Sequence, residues 1–84
     1  DVHIRVQQRN GRKCITTLQG LNPKLDFDRM AKEFKKRWGC NGIVVQDKEA
    51  GDVIQLQGDQ REHLREFLLS EKLAKADTIR THGL

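Results

Sequence analysis

Three cations surround an Asn-Gly dipeptide in the stretch QQRNGRK near the start of the chain. Arg9, Arg12 and Lys13 are residue types that bind phosphate, and an arginine can also stack on a base. Asn-Gly is the strongest short signal for a hairpin, and we expect a type I′ turn on Asn10 and Gly11. Arg9 and Arg12 would then face each other, where like charges destabilise a sheet by roughly 0.2–1 kcal/mol. The pattern favours a finger that enters a phosphate-rich cleft, although three solvated side chains would also explain it.

A second group of cations lies on one side of a predicted helix, which begins after the N-cap Asp26 and ends at Gly39. The apolar stripe of this helix comprises Phe27, Met30, Ala31, Phe34 and Trp38. The opposite side carries Arg29, Lys32, Lys35, Lys36 and Arg37. A charged face of this kind is, taken alone, usually just solvated. Beside a basic hairpin, however, it extends one nucleic-acid footprint.

The formal net charge of the 84-residue chain is +4, and it is unevenly distributed. Residues 1–42 contain ten Lys and Arg against four Asp and Glu, whereas residues 43–84 contain six against eight. Both cationic groups therefore lie in the basic half. We expect this half to face a polyanion and the mildly acidic half to be left for other contacts.

The segment GDQR precedes a second predicted helix. The buried side of this helix would comprise Leu64, Phe67 and Leu68. Gly58 would end a strand, Asp59 would be the N-cap, and Glu62 would reach back to complete a capping box. By itself, the segment is explained as a helix cap.

The residues that commonly act as nucleophiles, bases or metal ligands are not arranged for catalysis. Ser70 is the single serine, and no histidine is placed to activate it. His3, His63 and His82 are scattered and lack carboxylate or cysteine partners at metal-ligand spacing. No glycine-rich phosphate loop is present. We therefore expect a protein that is not an enzyme and that binds no cofactor or metal ion.

The two cysteines, Cys14 and Cys40, are too few for a disulfide scaffold. Their number favours reduced thiols in a cytoplasmic protein, with a single disulfide left open as the alternative. No apolar run approaches the roughly 20 residues that span a bilayer. We expect no contact with a membrane.

The hydrophobic periodicities predict the element order strand-strand-helix-strand-strand-helix-strand. Val2, Ile4 and Val6 alternate with polar residues, as in a strand that is buried on one face. The segments CITTLQ, NGIVVQD and DVIQLQG follow as strands, and ADTIRTHGL predicts a last strand centred on Ile79. Two amphipathic helices on one face of a mixed four- to five-stranded sheet bury these stripes most simply. We expect an α+β two-layer sandwich in which residues 1–84 form one domain.

The aromatic residues limit the kind of nucleic acid, because none of them falls on a predicted strand. A sheet that stacks bases needs strand aromatics. The open face of this sheet would instead show His3, Arg5, Gln7, Gln55 and Gln57. No helix-turn-helix pattern for DNA is present. We therefore expect contacts with the phosphates and shape of a folded RNA, and no binding to DNA.

The blocks IRVQQRNGRK, TTLQG, CNG, VIQLQGDQR and the closing HGL resemble, in this order and spacing, the eukaryotic translation initiation factor 1 family. The similarity runs from about Val2 to Leu84. The density-regulated protein family, which carries a similar domain in a larger chain and acts in ribosome recycling and reinitiation, is less similar. The resemblance implies a non-enzymatic initiation factor on the small ribosomal subunit near the peptidyl-tRNA site. Such a factor favours the open scanning state and enforces start-codon selection.

The resemblance also implies roles for particular residues. The loop that would reach ribosomal RNA and approach the initiator tRNA comprises Arg9, Asn10, Gly11, Arg12 and Lys13. The second ribosome-contacting surface would comprise Lys32, Lys35, Lys36 and Arg37. Asp59 and Gln60 match the segment associated with start-codon stringency. The implied partners are small-subunit RNA and initiation factors 1A, 2, 3 and 5, bound by a monomer.

Two departures from the family pattern, Cys14 and Gly39, fall outside the expected RNA surface. The family usually has a flexible N-terminal tail, and this chain starts at the first strand. Two alternatives stay open: an RNA-binding domain of a recycling or reinitiation factor, and a module that recruits another initiation factor through the less basic half. Salt dependence separates the RNA-binding possibilities from the last one, because phosphate contacts weaken steeply with salt.

Overall fold

A computed structural model describes residues 1–83, and its element order confirms the α+β prediction. The strands are β1 (Val2–Gln8), β2 (Cys14–Gln19), β3 (Gly42–Asp47), β4 (Gly51–Gln57) and β5 (Ile79–His82). The helices are α1 (Phe27–Trp38) and α2 (Arg61–Ser70), and a 3₁₀ turn (Ala76–Thr78) leads into β5. No helix among residues 1–83 is long and apolar enough to cross a membrane.

The five strands form one mixed sheet in the order β3-β4-β2-β1-β5. Neighbouring strands are antiparallel except β1 and β5, which run parallel with Val2 opposite Ile79. The prediction centred the last strand on Ile79, but β5 begins there. The preceding residues form the 3₁₀ turn, in which the Thr78 backbone N–H donates to the Lys75 carbonyl at 2.9 Å.

Both helices cover the same face of the sheet, as the amphipathic stripes predicted. α1 packs against β3 and β4, and α2 packs against β1. The fully buried residues that join the two layers are Ile4, Leu18, Phe34, Ile54, Leu56, Leu64 and Leu68. Met30, Trp38 and Phe67 belong to the predicted stripes but are half-buried, because they line the borders of the helix layer.

The predicted ends of α1 are confirmed, whereas the predicted start of α2 is wrong. The Asp26 carboxylate accepts a hydrogen bond from the Arg29 backbone N–H at 3.1 Å, and Gly39 ends α1 with a left-handed φ of 58°. α2 begins at Arg61, and its N-cap Gln60 makes no side-chain hydrogen bond to a backbone N–H of the helix. The Asp59 carboxylate accepts from the Arg61 backbone N–H at 3.2 Å as well as from the Arg61 side chain, but Glu62 does not reach back, so the predicted capping box does not form.

The strand register brings three loops to one end of the molecule. The Gly58 backbone N–H donates to the Cys14 carbonyl, and the Gln57 N–H donates to the Asn41 carbonyl, both at 2.8 Å. Residues 9–13, 39–41 and 58–61 thus share what we call the hairpin end. The opposite, far end carries residues 20–26, 47–51 and 70–75, because every element between the two ends runs the length of the sheet.

Candidate nucleic-acid interface

The loop of the first hairpin is longer than the predicted two-residue type I′ turn, and its turn is of another type. β1 and β2 pair up to Gln8 and Cys14, so five residues form the loop. The Arg9 N–H donates to the Lys13 carbonyl and the Lys13 N–H donates to the Asn10 carbonyl, both at 2.8 Å. The turn is therefore centred on Gly11 and Arg12, and only Gly11 has a positive φ, of 55°. A type I′ turn on Asn10 and Gly11 needs positive φ at both residues, so that prediction is wrong.

The shifted turn changes which cations oppose one another. Arg9 lies opposite Lys13, so the predicted pair of Arg9 and Arg12 does not face across the ladder. Arg12 stands at the tip instead. All five loop residues are exposed, and the Gln8 amide donates to the Gly11 carbonyl to brace the loop from below.

The hairpin cations have no carboxylate partner within the described part of the chain. The ion pairs among residues 1–83 are Arg37–Glu33, Arg61–Asp59 and Arg80–Asp1. None of them involves Arg9, Arg12 or Lys13. Three cations crowded on one short loop, without internal compensation, favour an external anion.

The cations of α1 form a second exposed surface, which we call the helix face (Lys32, Lys35, Lys36 and Arg37). All four side chains are exposed. Arg37 pairs with Glu33 at 3.1 Å and lies over the Phe67 ring with its guanidinium carbon 5.4 Å from the centroid. The three lysines make no ion pair within residues 1–83, so most of the charge of the face is free for a ligand.

The GDQR segment lies between the hairpin and α1 and holds its own side chains in place. Arg61 donates to the Asp59 carboxylate through two nitrogens, at 2.9 and 2.7 Å. These hydrogen bonds lower the pKa of Asp59, against the opposing effect of partial burial. Asp59 is therefore an anion locked to a cation of its own segment, which keeps its charge from repelling a neighbouring phosphate.

Gln60 is engaged through three groups. Its backbone N–H donates to the Thr16 hydroxyl at 2.9 Å, and its side-chain amide donates to the Gln57 carbonyl at 3.0 Å. The Gln60 Oε1 accepts from the His63 ring at 2.7 Å. The side chain links β4 to α2 through one of its two N–H donors and one of its two acceptor sites.

Thr16 ties the base of the hairpin to the GDQR segment. Its side chain is fully buried, and its hydroxyl donates to the Gly58 carbonyl at 2.6 Å while accepting from Gln60. Sequence reasoning missed this residue, because a threonine inside CITTLQ is an ordinary strand residue. The strand register gives the signal, since Thr16 is the polar position on the core side of β2.

The structure brings the predicted site residues to neighbouring positions but not into one continuous group. The hairpin loop, the C-terminal turn of α1, and Asp59 and Gln60 share the hairpin end. Lys32 lies further along α1, near the middle of the helix. The predicted polar side chains of the open sheet face alternate with the core residues as expected, but Ile43 on the same face is 59% exposed and was not predicted.

The cysteine and histidine side chains of the described residues form no metal-binding group. Among residues 1–83, no three His, Cys, Asp or Glu side chains are grouped so as to hold a metal ion. Cys14 and Cys40 are free thiols, and burial raises the pKa of Cys40. The ring nitrogens of His3 and His82 lie 3.1 Å apart.

Comparisons with known proteins identify the family of this chain. A family model described as translation initiation factor SUI1 matches residues 1–74. Protein translation factor SUI1 homolog 2 of Arabidopsis thaliana is 56% identical over 82 residues, which make up 98% of this chain and 73% of the relative. Eukaryotic translation initiation factor 1 of Mus musculus is 51% identical over the same shares.

Among solved structures, the C-terminal domain of human eIF2D is similar, with a TM-score of 0.77 and 26% identity. The match covers 93% of this chain and 40% of that chain. The identity to the SUI1 homologues is about twice as high and extends over most of their length. The chain belongs to the SUI1 family of translation initiation factors, a non-enzymatic family that acts in translation initiation.

Proposed function

We propose that the chain binds the small ribosomal subunit near the peptidyl-tRNA site through RNA phosphates, with the hairpin loop and the helix face as its two contacts. The observation that carries this proposal is the set of exposed, unpaired cations at and near the hairpin end. Arg12 at the tip and Lys13 beside it project where no carboxylate of the described residues reaches. The loop approaches the initiator tRNA. The repulsion among its three cations is relieved when phosphates lie between them.

The factor regulates initiation by binding one conformation of the subunit better than another. It favours the open, scanning state and opposes full seating of the initiator tRNA at codons other than AUG. A ligand shifts such an equilibrium only by its difference in affinity for the two states. A shift from 1:99 to 99:1 needs about 5.5 kcal/mol of such difference.

Asp59 and Gln60 contribute to start-codon stringency as positioning residues. Both side chains are engaged within the protein, Asp59 by Arg61 and Gln60 by Gln57 and His63. We expect their substitution to alter stringency by loosening residues 58–61, which bond β2 at the base of the hairpin and reach Trp38 of α1 through His63. We also propose that the protein is cytoplasmic and monomeric and that it contacts initiation factors 1A, 2, 3 and 5.

The test is equilibrium binding to purified small and large ribosomal subunits across a salt series. The wild type is compared with the triple variant Arg9→Ala/Arg12→Ala/Lys13→Ala. We expect binding that is selective for the small subunit, a weaker affinity for the variant, and a salt slope that is flatter by roughly 0.7–0.9 per lost phosphate contact. Equal affinities of the variant and the wild type would remove the hairpin from the interface.

A domain of a recycling or reinitiation factor is the second candidate, and the similarity to the C-terminal domain of human eIF2D favours it. The full-length sequence discriminates between the two. A short polar segment before Asp1 supports the stand-alone factor, whereas an additional folded domain supports the second candidate. If neither subunit binds selectively, a protein-interaction module replaces both.

A further inference from the structure

A cluster of aromatic rings extends from the core to the surface where the end of α1 meets the start of α2. Trp38 stacks on Phe34 with ring centroids 4.7 Å apart and planes 7° from parallel. Trp38 also stacks on His63, at 4.9 Å and 17°. Phe34 is fully buried, Trp38 is half-buried and His63 is exposed. The stack therefore ends in a ring that solvent, or a ligand, can reach.

A shallow depression of about 220 Å³ lies against this stack. It is lined by Arg37, Trp38, His63, Glu66, Phe67 and Ser70. Pockets for drug-sized molecules usually measure about 300 Å³ or more. The smaller size and the parallel rings suit one planar ring system rather than a folded peptide segment.

Polar groups surround the depression in an arrangement that suits a nucleotide. The His63 Nδ1 carries the proton, because it lies 2.7 Å from the Gln60 Oε1 and an amide oxygen only accepts. The His63 Nε2 has no hydrogen-bond partner within residues 1–83 and can contact the edge of a base. Arg37 bonds Glu33 through Nε at 3.1 Å, which leaves its two terminal nitrogens for a phosphate. Glu66 is the one carboxylate among the lining residues.

We propose that this depression binds one unpaired base of RNA, stacked on the outer face of His63 and beside the edge of Trp38, with the phosphate of the same nucleotide beside Arg37. The inference rests on the proposed function, since it assumes that the hairpin end faces ribosomal RNA. Single-stranded RNA is commonly recognised by bases that stack on aromatic side chains, with arginine beside them. The site adds a base contact to an interface that otherwise contacts phosphates.

The experiment uses the fluorescence of Trp38, the one tryptophan of the chain. The protein is titrated with an oligouridylate of about 8 nucleotides, within the usual site size for single strands. Inorganic polyphosphate, which carries phosphates but no bases, is the matched ligand control. We expect the oligouridylate to quench the emission and polyphosphate to leave it unchanged. Equal effects of the two ligands, or no effect of the oligouridylate, would overturn the proposal.

Three variants connect the site to the ribosome. His63→Ala is expected to weaken binding to both the oligouridylate and the small subunit by about 5-fold or more, since stacking on an aromatic ring contributes that much. His63→Phe keeps a ring on Trp38 and is expected to retain most of the affinity, although it loses the bond to Gln60. His82→Ala removes an exposed histidine elsewhere and serves as the control, with affinity unchanged.

The outcomes separate this proposal from the proposed function. If the wild type binds the small subunit but His63→Ala binds it equally well, the base site is wrong and the initiation-factor function stands. If the wild type does not bind the small subunit, the proposed function fails, and the ribosomal base site fails with it. Folding of each variant is checked by its urea midpoint, so that lost binding is not mistaken for lost structure.

Discussion

The buried hydroxyl of Thr16 is expected to contribute measurably to stability, because it bonds both Gly58 and Gln60. Thr16→Val keeps the shape of the side chain but leaves the Gly58 carbonyl and the Gln60 N–H without their partner. An unpaired buried group costs about 1–3 kcal/mol, so we expect a loss of this size in the free energy of unfolding by urea. Thr16→Ser keeps the hydroxyl and loses one methyl group, at about 0.8 kcal/mol.

Amide hydrogen exchange at Gln60 provides the second readout for this pair of variants. The Gln60 N–H is expected to exchange faster in Thr16→Val and to stay protected in Thr16→Ser, because only the serine retains the acceptor. Equal protection in the two variants would contradict a role for the hydroxyl in holding the GDQR segment.

Asp59 makes the stability of the hairpin end dependent on pH. The hydrogen bonds from Arg61 lower the pKa of Asp59 below its ordinary value of 3.8. A carboxylate whose pKa is lower in the folded state stabilises the fold above the unfolded-state pKa and loses this effect as pH falls through the folded value. Asp59→Asn is therefore expected to reduce the free energy of unfolding at pH 7, and the difference should shrink as the pH falls below about 4.

The partner variant checks the cause of that shift. In Arg61→Gln the Asp59 carboxyl loses its main hydrogen-bond donor, and its pKa, followed by carboxyl chemical shift, should rise toward the ordinary value. An unchanged titration of Asp59 in this variant would show that Arg61 is not the cause.

At the scale of elements, α1 was predictable in full and α2 only in part. The stripe from Phe27 to Trp38, the cap Asp26 and the end at Gly39 each follow from local chemistry. At the start of α2, the Asp59 carboxylate bonds both the side chain and the backbone N–H of Arg61, and the helix begins one residue later than a cap at Asp59 predicts. Sequence patterns locate such a boundary poorly, because the bonds that decide it all join neighbouring residues.

The predicted turn of the first hairpin was wrong for a related reason. Asn-Gly correctly marked the turn, but the register of β1 and β2 places Gly11 and Arg12, not Asn10 and Gly11, at its centre. The register is fixed by burial of Ile4 against Leu18 and Val6 against Thr16 on the core side. Long-range packing therefore outweighed the local turn preference.

Substitutions at Gly39 test how much the left-handed conformation at the end of α1 contributes to stability. Its φ of 58° is left-handed, and an added Cβ would meet no atom within 4 Å. Gly39→Ala therefore changes backbone strain without a clash, and we expect a loss of about 1 kcal/mol in the free energy of unfolding. Gly39→Asn should cost less, since asparagine tolerates this conformation better. A loss for alanine no larger than that for asparagine, in paired urea titrations, would contradict the left-handed end of α1.

At the scale of the whole molecule, the fold divides the cations between the hairpin end with the helix face and the far end, which the division of the sequence into halves does not do. The sequence predicted a basic half, and most cations of that half reach the hairpin end or the helix face. Lys24 is an exception, because its loop lies at the far end with Asp26 and Asp47. The far end also contains Lys48 and Lys72, so it holds cations that share no surface with the hairpin.

This arrangement allows the effect of where the cations lie to be measured separately from the effect of the net charge of the protein. The variant Lys32→Ala/Lys35→Ala/Lys36→Ala removes three charges from the helix face, and Lys24→Ala/Lys48→Ala/Lys72→Ala removes three from the far end. Both variants have the same formal charge, and all six side chains are exposed. We expect the first to weaken binding to the small subunit and to flatten the salt slope by about 2–3, as for three lost phosphate contacts, and the second to change neither. Equal losses in the two variants would mean that the subunit attracts the protein by its overall charge, and the helix face would then have no specific role.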